Sequence, residues 1–518
     1  MEIFAYEPLG FEGFLVRIEV DIRRGIPAVD VVGLAAASVR ESRERVRAAL
    51  RNSGFGFPQD RVLINLSPAD LPKEGSLYDL PIALKILSAS GAIPECGKDI
   101  LVIGELTLDG QVRPVRGALP ALLQASRKGI THHIVPAANY DEALRLRDGR
   151  LYPISRLSEI TEILLSVRDG TIYGSVPHAG SDVDEAAFGM GDPPAEELDF
   201  SDYLGNHVVI RALMVAAAGR HNILLFGPPG SGKTMAAMRY PSLLPALTER
   251  EALEVAAIWS LHGKSLGGRT PLSRPPVCAP HHSASLEGLV GGGRPPRPGE
   301  ISLAHRGVLF LDETPEFGHE VLQSLREPLE KASISVVRAG RVLQYPADFQ
   351  LMLAANSCPC GNLGNPAKAC ICSPQEIQRY WKKMGGPLLD RIDMRIPVIV
   401  PDAATMLCSQ GQAQSDLVSL VDRAARTQRE RTSAWGGICN SRLEPELVKK
   451  FCVLDGEASR IFRSKADELG LSMRACHSVL KVARTIADIE SSACIDAAML
   501  TEAVGYREYG DGDCYWPF

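Results

Sequence analysis

No apolar run in this chain approaches the roughly 18–20 residues that a helix needs to cross a bilayer. The start, Met1-Glu-Ile-Phe-Ala-Tyr-Glu7, lacks the basic cluster and apolar core of a secretory leader. Neither sign of charge is in large excess. A net charge of −6 over 518 residues excludes holding nucleic acid by bulk charge, so any such contact needs a local basic patch. Cysteine is sparse: there are 12, and four of them crowd between Cys358 and Cys372. In a reducing compartment that clustering favours a metal over disulfides. These absences give the expectation of a cytoplasmic protein without a membrane partner. With 45% hydrophobic residues, a chain of this length has material for two or three cored domains.

What is present centres on Gly227, Pro228, Pro229, Gly230, Ser231, Gly232, Lys233 and Thr234, which fit the phosphate-loop pattern G-x-x-x-x-G-K-[ST]. The apolar run Asn222-Ile-Leu-Leu-Phe226 before it suits a buried strand, and Met235 to Met238 after it suits a helix. Glycines let the backbone wrap a phosphate, and the helix start supplies partial positive charge. Lys233 is placed to reach the β- and γ-phosphates of ATP, with the Thr234 hydroxyl on Mg²⁺.

Downstream, Gly307-Val-Leu-Phe-Leu-Asp-Glu313 reads as a buried strand that delivers two acids to its carboxyl end, where parallel sheets bind ligands. Asp312 suits Mg²⁺, and Glu313 suits polarising the attacking water. Ser335 to Tyr345 reads as a β-hairpin, and Phe349 to Ala355 as a core strand ending at Asn356. An amide at that place can hydrogen-bond the water or the γ-phosphate. Asp199 to Gly219 leads into the phosphate loop through an Ala-rich helix. From Asp455 the pattern is helical, with an apolar stripe through Leu471 to Asp488.

This order resembles the AAA+ ATPases, in the branch that holds magnesium chelatase and replicative helicases. The resemblance implies that Asn356 acts as the first sensor and that Arg391, in Pro387-Leu-Leu-Asp-Arg-Ile-Asp393, reaches a neighbouring subunit as an arginine finger. It also implies that Arg474 contacts the γ-phosphate from the lid, and that Asp202, Tyr203, Asn206 and His207 lie near the nucleotide. The alternative for Arg391 is an intrasubunit ion-pair partner, and as a bare residue Arg474 reads as a surface charge.

Residues 1–168 alternate strand and helix patterns, the mark of a compact α/β domain. The helix expected over Ser38 to Ser53 carries Arg40, Arg43, Arg47 and Arg51 on a solvated face. Leu71-Pro-Lys-Glu-Gly-Ser-Leu-Tyr-Asp-Leu-Pro81 and Gly104 to Gly117 resemble the catalytic domain of Lon-type proteases. That family's nucleophile position falls on Leu77, beside Ser76, and its lysine position on Pro120. Proline has no amine to activate a nucleophile. A protease fold without protease chemistry is the expectation. Residues 169–197, rich in Gly, Pro, Ser and acids, read as a flexible linker. It separates domain 1–168 from an AAA+ core over 198–400, with a parallel sheet, and a helical lid over 401–518.

Taken together with Ala-Pro-His-His-Ser and the Gly-rich, Arg-rich run through His305, this architecture resembles the YifB/ComM family of magnesium-chelatase-like ATPases. That resemblance implies a bacterial hexamer working on branched or single-stranded DNA, a branch-migration helicase in recombination or natural transformation. Arg294, Arg297, His305 and Arg306 flank an insertion, and Lys331, Arg338 and Arg341 lie on or beside the hairpin. In ring helicases such loops grip phosphates without reading sequence; the alternative is a merely solvated hairpin. Where relatives carry Arg-Pro-Phe-Arg, this chain has Pro275-Pro-Val-Cys278. Cys358, Cys360, Cys370 and Cys372 can close a tetrahedral Zn²⁺ site; the alternative is four free thiols. A chelatase-like or chaperone-like ATPase acting on a protein partner is the competing function.

Overall fold

The computed structural model describes residues 1–171, 198–263, 274–293, 295–338, 341–400 and 413–509. Most of the expected linker, residue 401 where the lid was expected to begin, Arg294, and the Ala339–Gly340 turn of the hairpin lie outside the described residues, as do the side chains of Ser38, Arg40 and Arg338.

The N-terminal domain is built on a seven-stranded mixed sheet. Its order is Ala28–Val32, Arg61–Ser67, Phe14–Arg23, Ile3–Glu7, Ile100–Val102, His132–Pro136, Arg150–Ile154. Along Arg61–Ser67 buried and part-exposed residues alternate, so Val62, Ile64 and Leu66 turn inward under the helices Ala37–Asn52 and Asp79–Ala89. The helix Ala118–Arg127 covers the opposite face. Ile160–Asp169 closes this domain and ends in left-handed Gly170.

The second sheet has five strands, all parallel, in the order Val277–Cys278, Val308–Leu311, Gln350–Ala355, Ile223–Phe226, Met394–Pro397. Ile223–Phe226, Val308–Leu311 and Gln350–Ala355 are buried throughout, as expected of strands covered on both faces. His207–Gly219 packs on one face with the helical C-terminal region, where Met473–Ile489 is the central helix. Glu249–His262 lies on the other side. Buried polar pairs fasten the C-terminal helices to this core. His221 Nε2 lies 2.8 Å from Thr485 Oγ1, and the Asp348 carboxylate takes Arg220, Arg306 and Arg442 together.

The N-terminal domain docks on this ATPase-like core. Leu119 packs against Ala256 and Ala257, Gly117 N donates to Ser260 O (3.1 Å), and Phe11 N donates to Gln344 O of the hairpin (3.0 Å). No helix among the described residues is long and apolar enough to cross a membrane.

Candidate ATP site

The phosphate loop links the end of strand Ile223–Phe226 to the helix Lys233–Arg239, with Gly230 and Gly232 at positive φ. A side chain on Gly227 would collide with the carbonyl of Val398, so the loop lies tight on the neighbouring chain. Lys233 turns back on the loop, donating to Gly227 O (2.8 Å), Pro228 O (2.9 Å) and Asn356 Oδ1 (3.4 Å). Burial lowers the Lys233 pKa, and Asp312 offsets part of that. Thr234 Oγ1 donates to Asp312 Oδ2 (2.9 Å).

Three adjacent strand ends thus converge. The phosphate loop, Asp312 and Asn356 are brought together by the parallel register of Ile223–Phe226, Val308–Leu311 and Gln350–Ala355. The donor set fits a nucleotide and its cation. Thr234 and Asp312 are hard oxygen donors suited to Mg²⁺, and the buried Ser231 hydroxyl has no protein partner within the loop. Tyr203 packs on Gly232, Asp202 pairs with Arg239 of the following helix, and Asn206 donates to Ile399 O. His207 opens the Ala-rich helix and is exposed.

Glu313 sits beyond Asp312 at φ 48°, a left-handed backbone that a non-glycine residue adopts at a cost. That turn aims the carboxylate away from the strand, where it is 59% exposed. Sequence reasoning assigned it no partner, but His282 Nδ1 lies 3.7 Å from its Oε2, and the His281 and His282 ring centroids lie 4.0 Å apart with the rings tilted by 36°. The Ala-Pro-His-His run follows strand Val277–Cys278, which pairs with Val308–Leu311. That adjacency is what brings His282 to Glu313.

Arg391 and Arg474 lie elsewhere. Arg391 precedes strand Met394–Pro397, and its carbonyl accepts from Asn222 Nδ2 at the start of Ile223–Phe226. It therefore stands at the amino end of the sheet. The four residues of Ile223–Phe226 put roughly 13 Å between that end and the phosphate loop. Arg474, in the first turn of Met473–Ile489, joins Arg391 there: each donates an Nη2 to Glu330 Oε1 at 2.5 Å. Hydrogen bonds from Arg474 and then Arg391 hold the Glu330 carboxyl below its usual range.

The basic residues expected to grip phosphates divide. His305 is buried and pairs with Glu254, and Arg306 pairs with Glu254 and Asp348. Both belong to the framework and not to a phosphate-gripping loop, because their acidic partners, distant in sequence, close on them in the fold. Hydrogen bonding from His305 and the charge of Arg306 pull the Glu254 pKa down to about 2. Burial alone would raise that of Asp348, but Arg220, Arg442 and Arg306 draw it well below the carboxylate range. Arg297 is half-buried beside Pro298. The hairpin forms as expected, Ser333–Arg338 against Arg341–Pro346. Lys331 is exposed and pairs with Glu327, and Arg341 is half-buried. The described tip residues Val337 and Val342 face each other across the strands and are more than half exposed.

In the N-terminal domain Ser76 Oγ donates to Glu105, and Pro120 is buried within Ala118–Arg127. Lys73 is buried, its Nζ on the carbonyls of Gly33 and Pro68. Ser76 and Lys73 therefore have separate partners.

Residues 199–406 match the family described as magnesium chelatase, subunit ChlI. Residues 18–139 match the subunit ChlI of Mg-chelatase description, and 412–507 its C-terminal description. Across 508 residues the chain is 40% identical to the competence protein ComM of Haemophilus influenzae, covering 98% of this chain and 97% of that protein. It is 41% identical over 503 residues to YifB of Salmonella typhimurium, covering 96% and 95%. Its N-terminal region is similar to a Lon protease of Solibacter usitatus, 27% identical over 165 residues, or 30% of this chain and 20% of that protein.

Proposed function

Because the chain belongs to the YifB/ComM family of magnesium-chelatase-like AAA+ ATPases, we propose that it is an oligomeric motor, a hexamer, that couples ATP hydrolysis to the remodelling of branched or single-stranded DNA in the cytoplasm. The observation that carries the ATPase half is the hydrogen-bonded convergence of Lys233 on Asn356 and of Thr234 on Asp312.

In this reading the carbonyls that hold Lys233 give way to the β- and γ-phosphate oxygens, and the loop amides cradle the rest. Thr234 and Asp312 would hold Mg²⁺, which would supply neutralising charge at the triphosphate. Glu313, released from His282, takes the proton of the attacking water while Asn356 orients it. Arg391 and Arg474 serve the next subunit's γ-phosphate, since they stand at the end of the sheet opposite their own phosphate loop. Heterologous head-to-tail packing closes such a set of contacts into a ring.

For DNA, support comes from the hairpin, its Lys331, Arg338 and Arg341, and the family resemblance. A second reading, a chelatase-like or chaperone-like ATPase that remodels a protein partner, is favoured by one observation: the exposed Val337 and Val342 suit an apolar partner better than a phosphate. ATP turnover measured with and without a synthetic four-way junction at low salt, alongside the mass of the assembly, decides between them. Stimulation by the junction is expected. A junction that neither binds nor stimulates sinks the DNA reading.

A further inference from the structure

Between Ser357 and Ser373 the chain forms no strand or helix. Few of its side chains are buried, and Ile371 is 86% exposed. A loop this long and this poor in core contacts needs a staple to hold one shape. Its two ends are well anchored. Cys358-Pro-Cys360 follows directly on strand Gln350–Ala355 and Asn356. Cys370-Ile-Cys372 precedes helix Pro374–Lys382, whose Ser373–Glu376 capping box fixes the helix start.

The four sulfurs meet in the middle. Cys358 Sγ lies 3.4 Å from that of Cys360 and 3.6 Å from that of Cys370, Cys360 lies 3.7 Å from Cys370, and all four lie within 4.8 Å of one another. A disulfide requires about 2.05 Å. A tetrahedral metal with bonds of about 2.3 Å to sulfur requires sulfur edges of about 3.8 Å. The cluster has the dimensions of the second. Among the described residues no nitrogen or carboxylate joins the set, and four thiolates closing a tetrahedron select a structural ion without an open position.

The loop also abuts the phosphate site. A Cβ on Gly361 would stand 2.9 Å from Pro229 Cγ, so the residue beside Cys360 touches the phosphate loop itself. Trp381, on the helix that follows Cys372, donates to Ser357 O (3.1 Å) and packs edge-on against Phe226, the residue before Gly227. Asn356 stands two positions before Cys358 on the same backbone.

We propose that Cys358, Cys360, Cys370 and Cys372 bind one structural Zn²⁺, and that this zinc loop buttresses the phosphate loop and Asn356. The metal half stands on the thiolate geometry alone; the buttress half rests on the ATP reading. Binding displaces the thiol protons and changes no oxidation state, so no redox partner is needed.

The test uses the full chain purified under reducing conditions from zinc-supplemented medium. Elemental analysis is expected to find one zinc per chain. Mercurial release should free that zinc, and cobalt in its place should give the intense sulfur-to-metal band of a tetrahedral thiolate site. A chain without metal, or with iron in place of zinc, overturns the metal half. Cys370→Ser is expected to lose zinc and ATP turnover. Since that variant can also misfold, Gly361→Ala provides a second arm with all four cysteines intact. Gly361→Ala should keep its zinc yet bind a fluorescent ATP analogue several-fold more weakly. Unchanged nucleotide binding in Gly361→Ala and in metal-released protein overturns the buttress half. A wild-type chain that holds zinc but never turns over ATP overturns the ATPase reading and leaves the metal site standing.

Discussion

At the carboxyl end of the five-stranded sheet, Lys233 lies on Asn356 and Thr234 on Asp312; at the amino end, Arg391 and Arg474 converge on Glu330, and Arg474 also comes within 4.0 Å of Asp390. One end is rich in acids and short of cations for a triphosphate whose γ-phosphoryl oxygens gather charge during transfer. The other gathers Arg391 and Arg474 against Glu330 and Asp390 and has no phosphate loop. A parallel sheet enforces this separation, because all its strand ends of one kind fall on one edge. In the proposed assembly each end supplies what the other lacks. Copies stacked head to tail would complete both.

The largest effect should come from removing Arg391, the cation proposed to reach across between copies. Arg391→Ala is expected to lower ATP turnover by about 10³-fold, the usual worth of such a finger, with nucleotide binding to the isolated chain little changed. Glu313→Gln comes next, with turnover down by about 10²-fold or more and ATP still bound, as read with a fluorescent analogue. Retained turnover would remove Glu313 as the proton acceptor.

The amino end can be perturbed more gently. Glu330→Gln removes the shared charge while leaving Arg391 on the Pro387 carbonyl and Arg474 beside Asp390. An exposed pair is worth only about 0.2–1 kcal/mol, so turnover should change by no more than about fivefold. A collapse to the level of Arg391→Ala would mean that Glu330 does more than hold them.

The smallest effect concerns the ion cluster that ties the two halves of the ATPase core, where Arg442 reaches both Asp348 and the carbonyl of Leu329, next to Glu330. Glu254 in that cluster has its pKa lowered from 4.5 to about 2. A depressed carboxyl stabilises the fold fully above its unfolded value and loses that contribution as pH falls through the folded one. The Glu254 contribution to the denaturant midpoint should therefore hold steady down to about pH 5 and be lost between about 4.5 and 2. In Glu254→Gln that acid limb should be shallower.

The carboxyl end was legible in the sequence because each of its parts is a short local pattern: a glycine-rich loop, two acids after an apolar run, an amide after another. Of the N-terminal domain only the alternation of strand and helix patterns was legible, not the seven-stranded sheet or its order; the hairpin was legible as two strand-like runs around a turn. What lay beyond the sequence depends on which strands become neighbours. His282 meets Glu313 only because Val277–Cys278 pairs beside Val308–Leu311, and two residues are a faint strand signal. His305 and Arg306 looked like phosphate-gripping charges until the fold brought Glu254 and Asp348 to them. Glu330 carried no motif; its meaning comes from two arginines distant in sequence.

The division of the ATP site between copies is tested most directly by mixing two dead variants. Lys233→Ala keeps its arginines but cannot hold the triphosphate; Arg391→Ala keeps its phosphate loop but offers no finger. Each alone should be inactive. Co-assembled at equal amounts, they should recover a measurable fraction of wild-type ATP turnover, because an intact phosphate loop then faces an intact arginine. No recovery in assemblies shown by mass to contain both variants would contradict the account and return Arg391 to a role inside its own chain.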